Sequence, residues 1–330
     1  MQQYMRTIVE DRPQRGRRLK RSQRKGRSIS GILLLDKAQG LTSNAALQEV
    51  KRLFSAGKVG HTGSLDPLAT GILPLCFGEA TKFSQFLLDA NKRYLATFKL
   101  GVATDTGDAD GEVIAQHPVE NIDRSKVVAL LSEFTGEIQQ IPSMYSALKY
   151  RGKPLYKLAR QGIEVERKAR TVTIMKMDLV SFEEDQYVLD ILCSKGTYIR
   201  SLAEDMGTKL KCGAHVSELR RLGSGPYDVK DCYTVEELAS IKDQRGLNSL
   251  DGCLLPLSTA VMDWPAVNLP EITAFYLRQG QAVQIAHAPT QGWVRIFGES
   301  EGGGEGKDFI GVGEILGDGR IAPRRLVASR

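Results

Sequence analysis

The sequence is organised around residues 58–75, which read Lys58-Val59-Gly60-His61-Thr62-Gly63-Ser64-Leu65-Asp66-Pro67-Leu68-Ala69-Thr70-Gly71-Ile72-Leu73-Pro74-Leu75. Three glycines and two prolines surround a single carboxylate, Asp66. Glycine adopts backbone conformations closed to other residues and proline fixes φ, so this pattern predicts a rigid, shaped loop. The apolar run from Ile72 to Phe77 then predicts a buried strand. Such a loop either presents Asp66 as a reactive group or uses it to cap backbone N–H groups.

The overall composition is that of a globular protein, with 42% hydrophobic and 25% charged residues in 330. This length fits two domains. Because there is no apolar run of ~18 residues and no apolar core near the N-terminus, we expect neither a membrane span nor a secretory signal. Five cysteines without a C-x-x-C pair indicate reduced thiols and a cytoplasmic protein. The four histidines are too scattered to predict a metal site.

The net charge of +6 is concentrated in an N-terminal arm. Residues 1–27 contain ten basic and two acidic side chains, a net +8, which leaves −2 for the remaining chain. A block of like charge does not fold alone and suits contact with nucleic acid. The alternative, a solubilising tail, stays open at this point.

A second basic segment lies just before the middle of the chain. Three tyrosines and five cations alternate there: Tyr145, Lys149, Tyr150, Arg151, Lys153, Tyr156, Lys157 and Arg160. Aromatic rings stack on bases while cations hold phosphates, so the pattern favours RNA contact. An amphipathic helix with half-buried tyrosines is the alternative. The Gly152-Lys153-Pro154 triplet breaks regularity and predicts an exposed turn, which favours the first interpretation.

Local patterns predict several elements around the loop. We expect a helix from an N-cap at Ser43 to about Phe54, and a second helix over Thr81 to Leu88. Alternation from Arg93 to Gly101 predicts a strand, and a helix begins near Tyr198 and Arg200. Residues 104–111 resemble a calcium loop in aspartate spacing but lack the terminal glutamate, so a polar surface loop is expected. After about residue 250, short runs between prolines predict a mostly β module with a surface loop over Gly298 to Asp308.

The chemistry open to Asp66 is narrow. A two-carboxylate glycosidase needs a second convergent carboxylate, and none is evident near Asp66. The residues around Ser64 do not match G-x-S-x-G, and those around Lys195 do not match a phosphate-binding loop. What remains is a single aspartate acting as nucleophile or base beside a cation. Arg200 is the candidate cation, because a guanidinium is always charged and binds a carboxylate through two hydrogen bonds.

Several long motifs, in order along the chain, resemble the bacterial tRNA pseudouridine synthase B family. These are residues 60–74, 78–82, 92–94, 104–111, 142–149 and 193–200. The resemblance implies an α+β catalytic domain with a mixed, largely antiparallel central sheet and flanking helices, over residues 29–252. It further implies a small PUA-like β pseudo-barrel over residues 253–330, after a basic arm at residues 1–28 that the family does not explain. One departure is Ala38, where the family usually has proline.

The resemblance also implies roles for individual residues. Asp66 is the implied nucleophile, Arg200 its ion-pair partner and Tyr198 the group that accepts a proton from C5 of the base. The implied substrate-binding residues include a stacking tyrosine, a pocket wall and a histidine that enters the RNA loop: Tyr94, Leu219, His61, Lys37, Tyr145 and Lys149. The reaction moves uridine 55 of the tRNA T-loop from an N1 to a C5 linkage, which needs no cofactor and no metal.

The partner implied by the resemblance is tRNA, bound through its T-stem-loop and, through the PUA-like module, its acceptor stem. We take a monomer as the default. Two other functions stay open: an RNA-binding or RNA-folding factor without chemistry, and a synthase that acts on another RNA. Sequence also does not separate direct attack of Asp66 on C1′ from elimination to a glycal.

Overall fold

A computed structural model describes residues 26–299 and 307–328. Its strands, in chain order, are β1 Gly31–Lys37, β2 Val59–His61, β3 Thr70–Phe77, β4 Lys92–Leu100, β5 Val102–Thr104, β6 Val113–Gln116, β7 Gly136–Gln140, β8 Lys149–Tyr150, β9 Lys153–Pro154, β10 Arg170–Glu183, β11 Gln186–Cys193, β12 Ala214–Ser224, β13 Tyr227–Asp228, β14 Ala266–Leu269, β15 Gly292–Glu299, β16 Lys307–Ile315 and β17 Ile321–Leu326. Its α-helices are α1 Ser43–Leu53, α2 Ser84–Asp89, α3 Arg124–Glu133, α4 Leu155–Ala159, α5 Ile199–Lys209, α6 Val235–Arg245 and α7 Glu271–Arg278. Short 3₁₀ helices span Gly78–Lys82, Val229–Asp231, Leu247–Cys253 and Leu257–Val261.

A nine-stranded sheet lies at the centre, in the order β1-β3-β12-β4-β11-β10-β7, with β2 paired to β3 and β13 paired to β12. Its strand pairs are antiparallel except for β3 with β12, which run parallel. This arrangement confirms the predicted α+β fold with a mixed, largely antiparallel sheet. The single parallel pair brings the strand after the Asp66 loop beside a strand about 150 residues later in the chain.

Both faces of this sheet are buried. Along β1, Leu33 and Leu35 belong to the large core cluster, whereas Ile32 and Leu34 belong to a second cluster on the opposite face. This division follows from the two-residue period of a strand. Helices α1 and α5 pack their apolar faces against the large cluster. It includes Val50 of α1 and Ile199, Leu202, Ala203 and Met206 of α5. Because it is packed on both faces, the sheet holds the loops at its edges in fixed positions.

The C-terminal region forms its own four-stranded sheet in the order β14-β15-β16-β17. This confirms the predicted small β module. Helix α7 was not predicted; it packs Ala274 and Leu277 onto that sheet. Aromatic side chains join the module to the part of the chain that precedes it, with ring centroids 4.9–5.6 Å apart in the contacts Phe86–Trp264, Phe86–Trp293, Trp264–Trp293 and Phe83–Phe309.

Some local predictions were wrong. The N-cap of α1 is Thr42, whose hydroxyl accepts from Ala45 N, and not Ser43. The helix predicted over Thr81 to Leu88 is split by Phe83 into the end of a 3₁₀ helix and α2. Residues 298–299 and 307–308, predicted as loop, lie in β15 and β16.

The basic arm lies almost entirely outside the described residues. Its described end at Arg27 is anchored to the body. The guanidinium donates to Asp251 Oδ2 at 2.6 Å, and the backbone pairs with residues 55–57. No helix within residues 26–299 and 307–328 is long and apolar enough to cross a membrane.

Candidate active site

The loop that carries Asp66 connects β2 to β3 and is fixed from two sides. Ser43, at the start of α1, donates its hydroxyl to Leu65 O at 3.0 Å and accepts from Leu65 N at 2.7 Å. Gly40 N donates to Pro67 O at 2.8 Å, and Ala69 N donates to Asp66 O at 3.1 Å. The backbone on both sides of Asp66 is thus tied to neighbouring elements, as the glycine and proline pattern predicts.

Asp66 and Arg200 form an ion pair, with 2.9 Å between Arg200 Nε and Asp66 Oδ2. The Arg200 side chain is 6% exposed, whereas that of Asp66 is 41% exposed. The carboxylate is therefore the more accessible partner of the ion pair. Two backbone carbonyls hold the other guanidinium nitrogens, Thr106 O at 2.8 Å and Tyr145 O at 3.0 Å. These hydrogen bonds hold the Arg200 guanidinium in place, and the Asp66 carboxylate stays accessible from outside the pair.

Burial raises the pKa of Asp66 above its ordinary value. The charge and hydrogen bond of Arg200 act in the opposite direction, as does the more distant charge of Lys37. Asp108, whose Oδ2 lies 3.6 Å from Arg200 Nε, raises the pKa further because it carries like charge. Arg200 therefore makes the largest contribution that favours the charged form of this partly desolvated carboxylate.

A cavity of about 310 Å³ opens in front of this pair. Its wall includes five of the residues that the sequence singled out: Asp66, Tyr94, Tyr198, Arg200 and Leu219. They come from a loop, β4, the N-cap of α5, α5 itself and β12. The structure thus brings together residues that are separated by as many as 153 positions in the sequence. Their individual roles stay predictions.

Two tyrosines are placed differently in this cavity. Tyr94 is partly buried on β4, and burial raises the pKa of its hydroxyl, with the Arg221 guanidinium beside it acting in the opposite sense. Tyr198 is the N-cap residue of α5, and burial raises its pKa as well. Gln140 brackets the Tyr198 backbone, since its side chain accepts from Tyr198 N at 3.0 Å and donates to Tyr198 O at 3.2 Å.

Four predicted site residues lie outside the cavity wall. His61 is on β2, partly buried, with no hydrogen-bond partner for Nδ1 among the described residues. Lys37 is 1% exposed, and its ammonium donates to Ala38 O, Leu41 O and Pro67 O. Burial lowers the pKa of Lys37 to about 8. Lys37 therefore supports the Asp66 loop from behind rather than facing the cavity.

Tyr145 and Lys149 lie in the segment beyond the cavity. The Tyr145 hydroxyl donates to Asp105 Oδ2 at 2.6 Å. Lys149 is exposed in the β8–β9 hairpin, whose turn includes Gly152 at φ +83°. The exposed turn predicted at Gly152 is confirmed.

Sequence reasoning missed three buried charged residues at the site. Asp108 is 4% exposed, although residues 104–111 were predicted to be a surface loop. Lys92 is 7% exposed and donates to Leu87 O, Leu88 O and Ala90 O, and burial lowers its pKa to about 8. Arg221 is 1% exposed and lines the cavity. Its position two residues after Leu219 on one strand face was the signal available in the sequence.

No group of three or more His, Cys, Asp or Glu side chains that could hold a metal ion occurs in the described ranges. The charged and phenolic side chains at the cavity wall are Asp66, Lys92, Tyr94, Tyr198, Arg200 and Arg221.

Comparison with known proteins assigns the chain to a family. Residues 51–199 match the TruB family pseudouridylate synthase N-terminal domain. Residues 200–262 match the tRNA pseudouridylate synthase B C-terminal domain, and residues 265–327 match the pseudouridine synthase II TruB C-terminal domain. The tRNA pseudouridine synthase B of Nitrosococcus oceani is 54% identical over 305 residues, which cover 92% of this chain and 97% of that protein. This chain belongs to the TruB family of pseudouridine synthases.

Other TruB family members are equally similar. The tRNA pseudouridine synthase B of Ectopseudomonas mendocina is 55% identical over 301 residues, covering 91% of this chain and 96% of that protein. Among solved structures, a chain of a Cbf5-Nop10-Gar1 complex aligns with a TM-score of 0.69 at 24% identity, covering 90% of this chain and 84% of its own. At that identity the structural likeness shows the fold alone. The family membership rests on the sequence matches.

Proposed function

We propose that this TruB family protein isomerises a uridine of tRNA to pseudouridine, and that its target is the T-loop uridine at position 55. The observation that carries the proposal is the Asp66–Arg200 ion pair, 2.9 Å long, at the wall of a cavity that Tyr94, Tyr198 and Leu219 complete. Similar chains named tRNA pseudouridine synthase B support the substrate class. The position within tRNA rests on the motif resemblance.

The proposed reaction begins when the target nucleotide leaves its stack and enters the cavity, at a cost of a few kcal/mol. Stacking of the base on Tyr94 offsets part of that cost, since a base on an aromatic ring gains about 1–3 kcal/mol. The C1′–N1 bond then breaks, and its electron pair stays with the uracil ring. Asp66 either bonds to C1′ or removes the C2′ proton to give a glycal.

The detached ring rotates so that C5 faces C1′, and the new C1′–C5 bond forms as Asp66 leaves, or as the glycal takes back its proton. Loss of the proton on C5 then restores the conjugated ring, and N1, which carried the sugar before, takes up a proton from solvent, so that no net proton is gained or lost. Tyr198, whose hydroxyl lies at the cavity wall, is proposed to receive the C5 proton on the way to solvent. Atoms balance without a redox step, so the residues of this chain supply all the chemistry that the proposal requires.

The proposed RNA surface extends from the cavity over the segment that holds α4 and the β8–β9 hairpin. Arg151 lies 5.3 Å from the Tyr150 ring centroid and Arg160 lies 5.7 Å from that of Tyr156. Tyr150 is 40% exposed. Exposed aromatic rings with adjacent guanidinium groups suit stacked bases and phosphates together. Lys149, Tyr145 and His61 are proposed to contact the T-loop from this side.

We further propose that two parts of the chain have separate functions, as the sequence predicted. Residues 29–252 would carry the chemistry and residues 253–330 a PUA-like module that contacts the acceptor stem. A monomer acting in the cytoplasm accords with this. The C-terminal sheet supports the assignment through its direct contacts with the catalytic part, including Lys82 Nζ donating to Leu326 O at 3.0 Å.

The test compares three RNAs: full tRNA, the isolated T-stem-loop, and a T-stem-loop with cytidine in place of the target uridine. Pseudouridine is mapped by carbodiimide modification and primer extension after single-turnover reactions. We expect modification at one site in the first two RNAs and none in the third. Modification of a different uridine, or none in any RNA, would contradict the proposal. A higher affinity for full tRNA than for the isolated T-stem-loop would show that nucleotides beyond the T-stem are bound, and would support the role of the C-terminal module.

A further inference from the structure

Arg221 and Lys92 are buried cations of the cavity that the mechanism above leaves unused, and Arg221 is the more deeply buried of the two. Arg221 lies on β12 between its two partner strands, opposite Gly71 of β3 and Tyr94 of β4. Its Nε donates to Ile72 O at 2.8 Å and one terminal nitrogen donates to Gly63 O at 3.3 Å. One side chain thus links the loop of Asp66, the strand that follows it and the tyrosine on which the base is proposed to stack.

The charge of Arg221 is not neutralised. No carboxylate of the described residues lies within 4.0 Å of its guanidinium, whereas Arg220 pairs with Asp36 at 2.6 Å and Arg200 pairs with Asp66. Buried charges are ordinarily paired, because a charge removed from water without a counter-ion is strongly unfavourable. An unpaired guanidinium at 1% exposure is therefore poised to attract negative charge into the cavity.

A second buried cation, Lys92, adds positive charge beside Arg221. Lys92 also lines the cavity. Burial is the largest cause of its lowered pKa, and the positive charge of Arg221 adds to it. The Lys92 ammonium and the Arg221 guanidinium donate to backbone carbonyls, and neither has a carboxylate partner within 4.0 Å among the described residues. The positive charge around Arg221 therefore favours the binding of an anion in this part of the cavity.

The proposed reaction generates such an anion. When the C1′–N1 bond breaks, its electron pair stays on the uracil ring, whose negative charge spreads over N1, O2 and O4 until the C1′–C5 bond forms. We infer that Arg221 stabilises this transient uracil anion, by its charge and by holding Tyr94 and Gly63 in place at the cavity wall. The inference rests on the proposed function. It gives Arg221 a role in the step at which the base is detached from the sugar. Fixed charges aimed at developing charge contribute strongly because they need no reorganisation.

Three variants test the inference: Arg221→Gln, which removes the charge, Arg221→Lys, which keeps it, and Arg220→Gln as the matched control on the same strand. Thermal melting establishes that each is folded. In single-turnover reactions with the T-stem-loop, we expect Arg221→Gln to slow conversion by about 10²- to 10³-fold, the range for loss of one donor to a developing anion. Arg221→Lys should lose less and Arg220→Gln little, with dissociation constants for the RNA unchanged.

A substituted substrate separates electrostatic stabilisation from a merely structural role. Fluorine at C5 makes the detached base a more stable anion, so 5-fluorouridine at the target position should reduce the loss caused by Arg221→Gln. Because fluorine prevents proton removal from C5, the readout is disappearance of the original nucleoside, measured by mass spectrometry of the digested RNA. If Arg221→Gln does not fold, the same comparison is made with Arg221→Met, which also removes the charge.

Equal losses on uridine and 5-fluorouridine would overturn the inference, as would a wild-type rate for Arg221→Gln. A loss confined to RNA affinity would overturn it too, because that result points to a phosphate contact. These outcomes are distinct from failure of the proposed function, which would appear as absence of pseudouridine with the wild-type protein on the uridine substrate.

Discussion

Gly71 is the residue at which the fold of this protein most directly constrains its proposed chemistry. It lies on β3 at the parallel pairing with β12, and its φ of +98° falls in the region that favours glycine. A Cβ built at this position would lie 2.3 Å from Arg221 O and 2.8 Å from Arg221 N. Real Cβ atoms essentially never approach a heavy atom within 3.0 Å. Since the obstacle is backbone, Gly71→Ala must push β12 away from β3.

The size of the effect follows from two contributions. Holding alanine in a left-handed conformation costs about 1–3 kcal/mol, and overpacking of a filled site costs about 1–3 kcal/mol more. We therefore expect Gly71→Ala to lower the free energy of unfolding by about 2–6 kcal/mol. Because β12 carries Leu219 and Arg221 into the cavity, its displacement should also lower kcat, by about 10² for a shift near 1 Å.

Gly136 provides a matched control for this substitution. It has the same φ of +98°, but a Cβ there meets nothing within 4 Å. Gly136→Ala should therefore show the conformational cost of about 1–3 kcal/mol alone and leave kcat unchanged. Urea denaturation followed by circular dichroism, together with single-turnover conversion of a T-stem-loop RNA, measures both quantities. Equal destabilisation of the two variants, with wild-type kcat for Gly71→Ala, would refute the reasoning.

Two further predictions concern the support of Asp66. Arg200→Met removes the cation that opposes the effect of burial, so the pKa of Asp66 should rise further and the acidic limb of the pH profile of kcat/KM should move to higher pH; an unshifted limb would show that Arg200 does not hold the carboxylate charged. Ser43→Ala leaves the buried Leu65 N–H without a partner and should cost about 1–3 kcal/mol of stability and lower kcat. Its control, Thr42→Ala, removes the helix cap at a cost of about 1 kcal/mol and should leave kcat unchanged, so equal kcat values in the two variants would contradict this assignment.

The sequence allowed much of the site to be predicted because its most informative features are local. The glycines and prolines around Asp66 predict a rigid loop, which the structure confirms through the hydrogen bonds at Leu65 and Pro67. Pairing of Asp66 with Arg200 followed from chemical complementarity, since a desolvated carboxylate requires a cation. The 2.9 Å contact between them confirms that they meet.

The features that were missed depend on contacts between distant strands. Arg221 is buried because β12 lies between β3 and β4, a placement that no local pattern in residues 214–224 encodes. Asp108 belongs to a sequence that is polar enough for a surface loop, and it is buried only because Arg200 and Val216 pack against it. Burial of a charged side chain is a property of the tertiary structure.

Local competition explains the error at the start of α1. Thr42 and Ser43 are both good N-cap residues, and propensity alone does not choose between them. The structure uses Thr42 for the cap and frees Ser43 to hold the Asp66 loop. Helix α7 was missed for a related reason, because its eight residues follow Pro270 in a region where short strands dominate.

The central claim is that Asp66, held by Arg200, acts in the cleavage of the C1′–N1 bond and in the formation of the new C1′–C5 bond. Asp66→Asn tests it most directly, because asparagine keeps the size of the side chain and removes the nucleophile. In a single-turnover reaction with the T-stem-loop, we predict no pseudouridine above background, while the dissociation constant for the RNA stays close to that of the wild-type protein. Pseudouridine formed by Asp66→Asn at a rate near that of the wild type would contradict the claim.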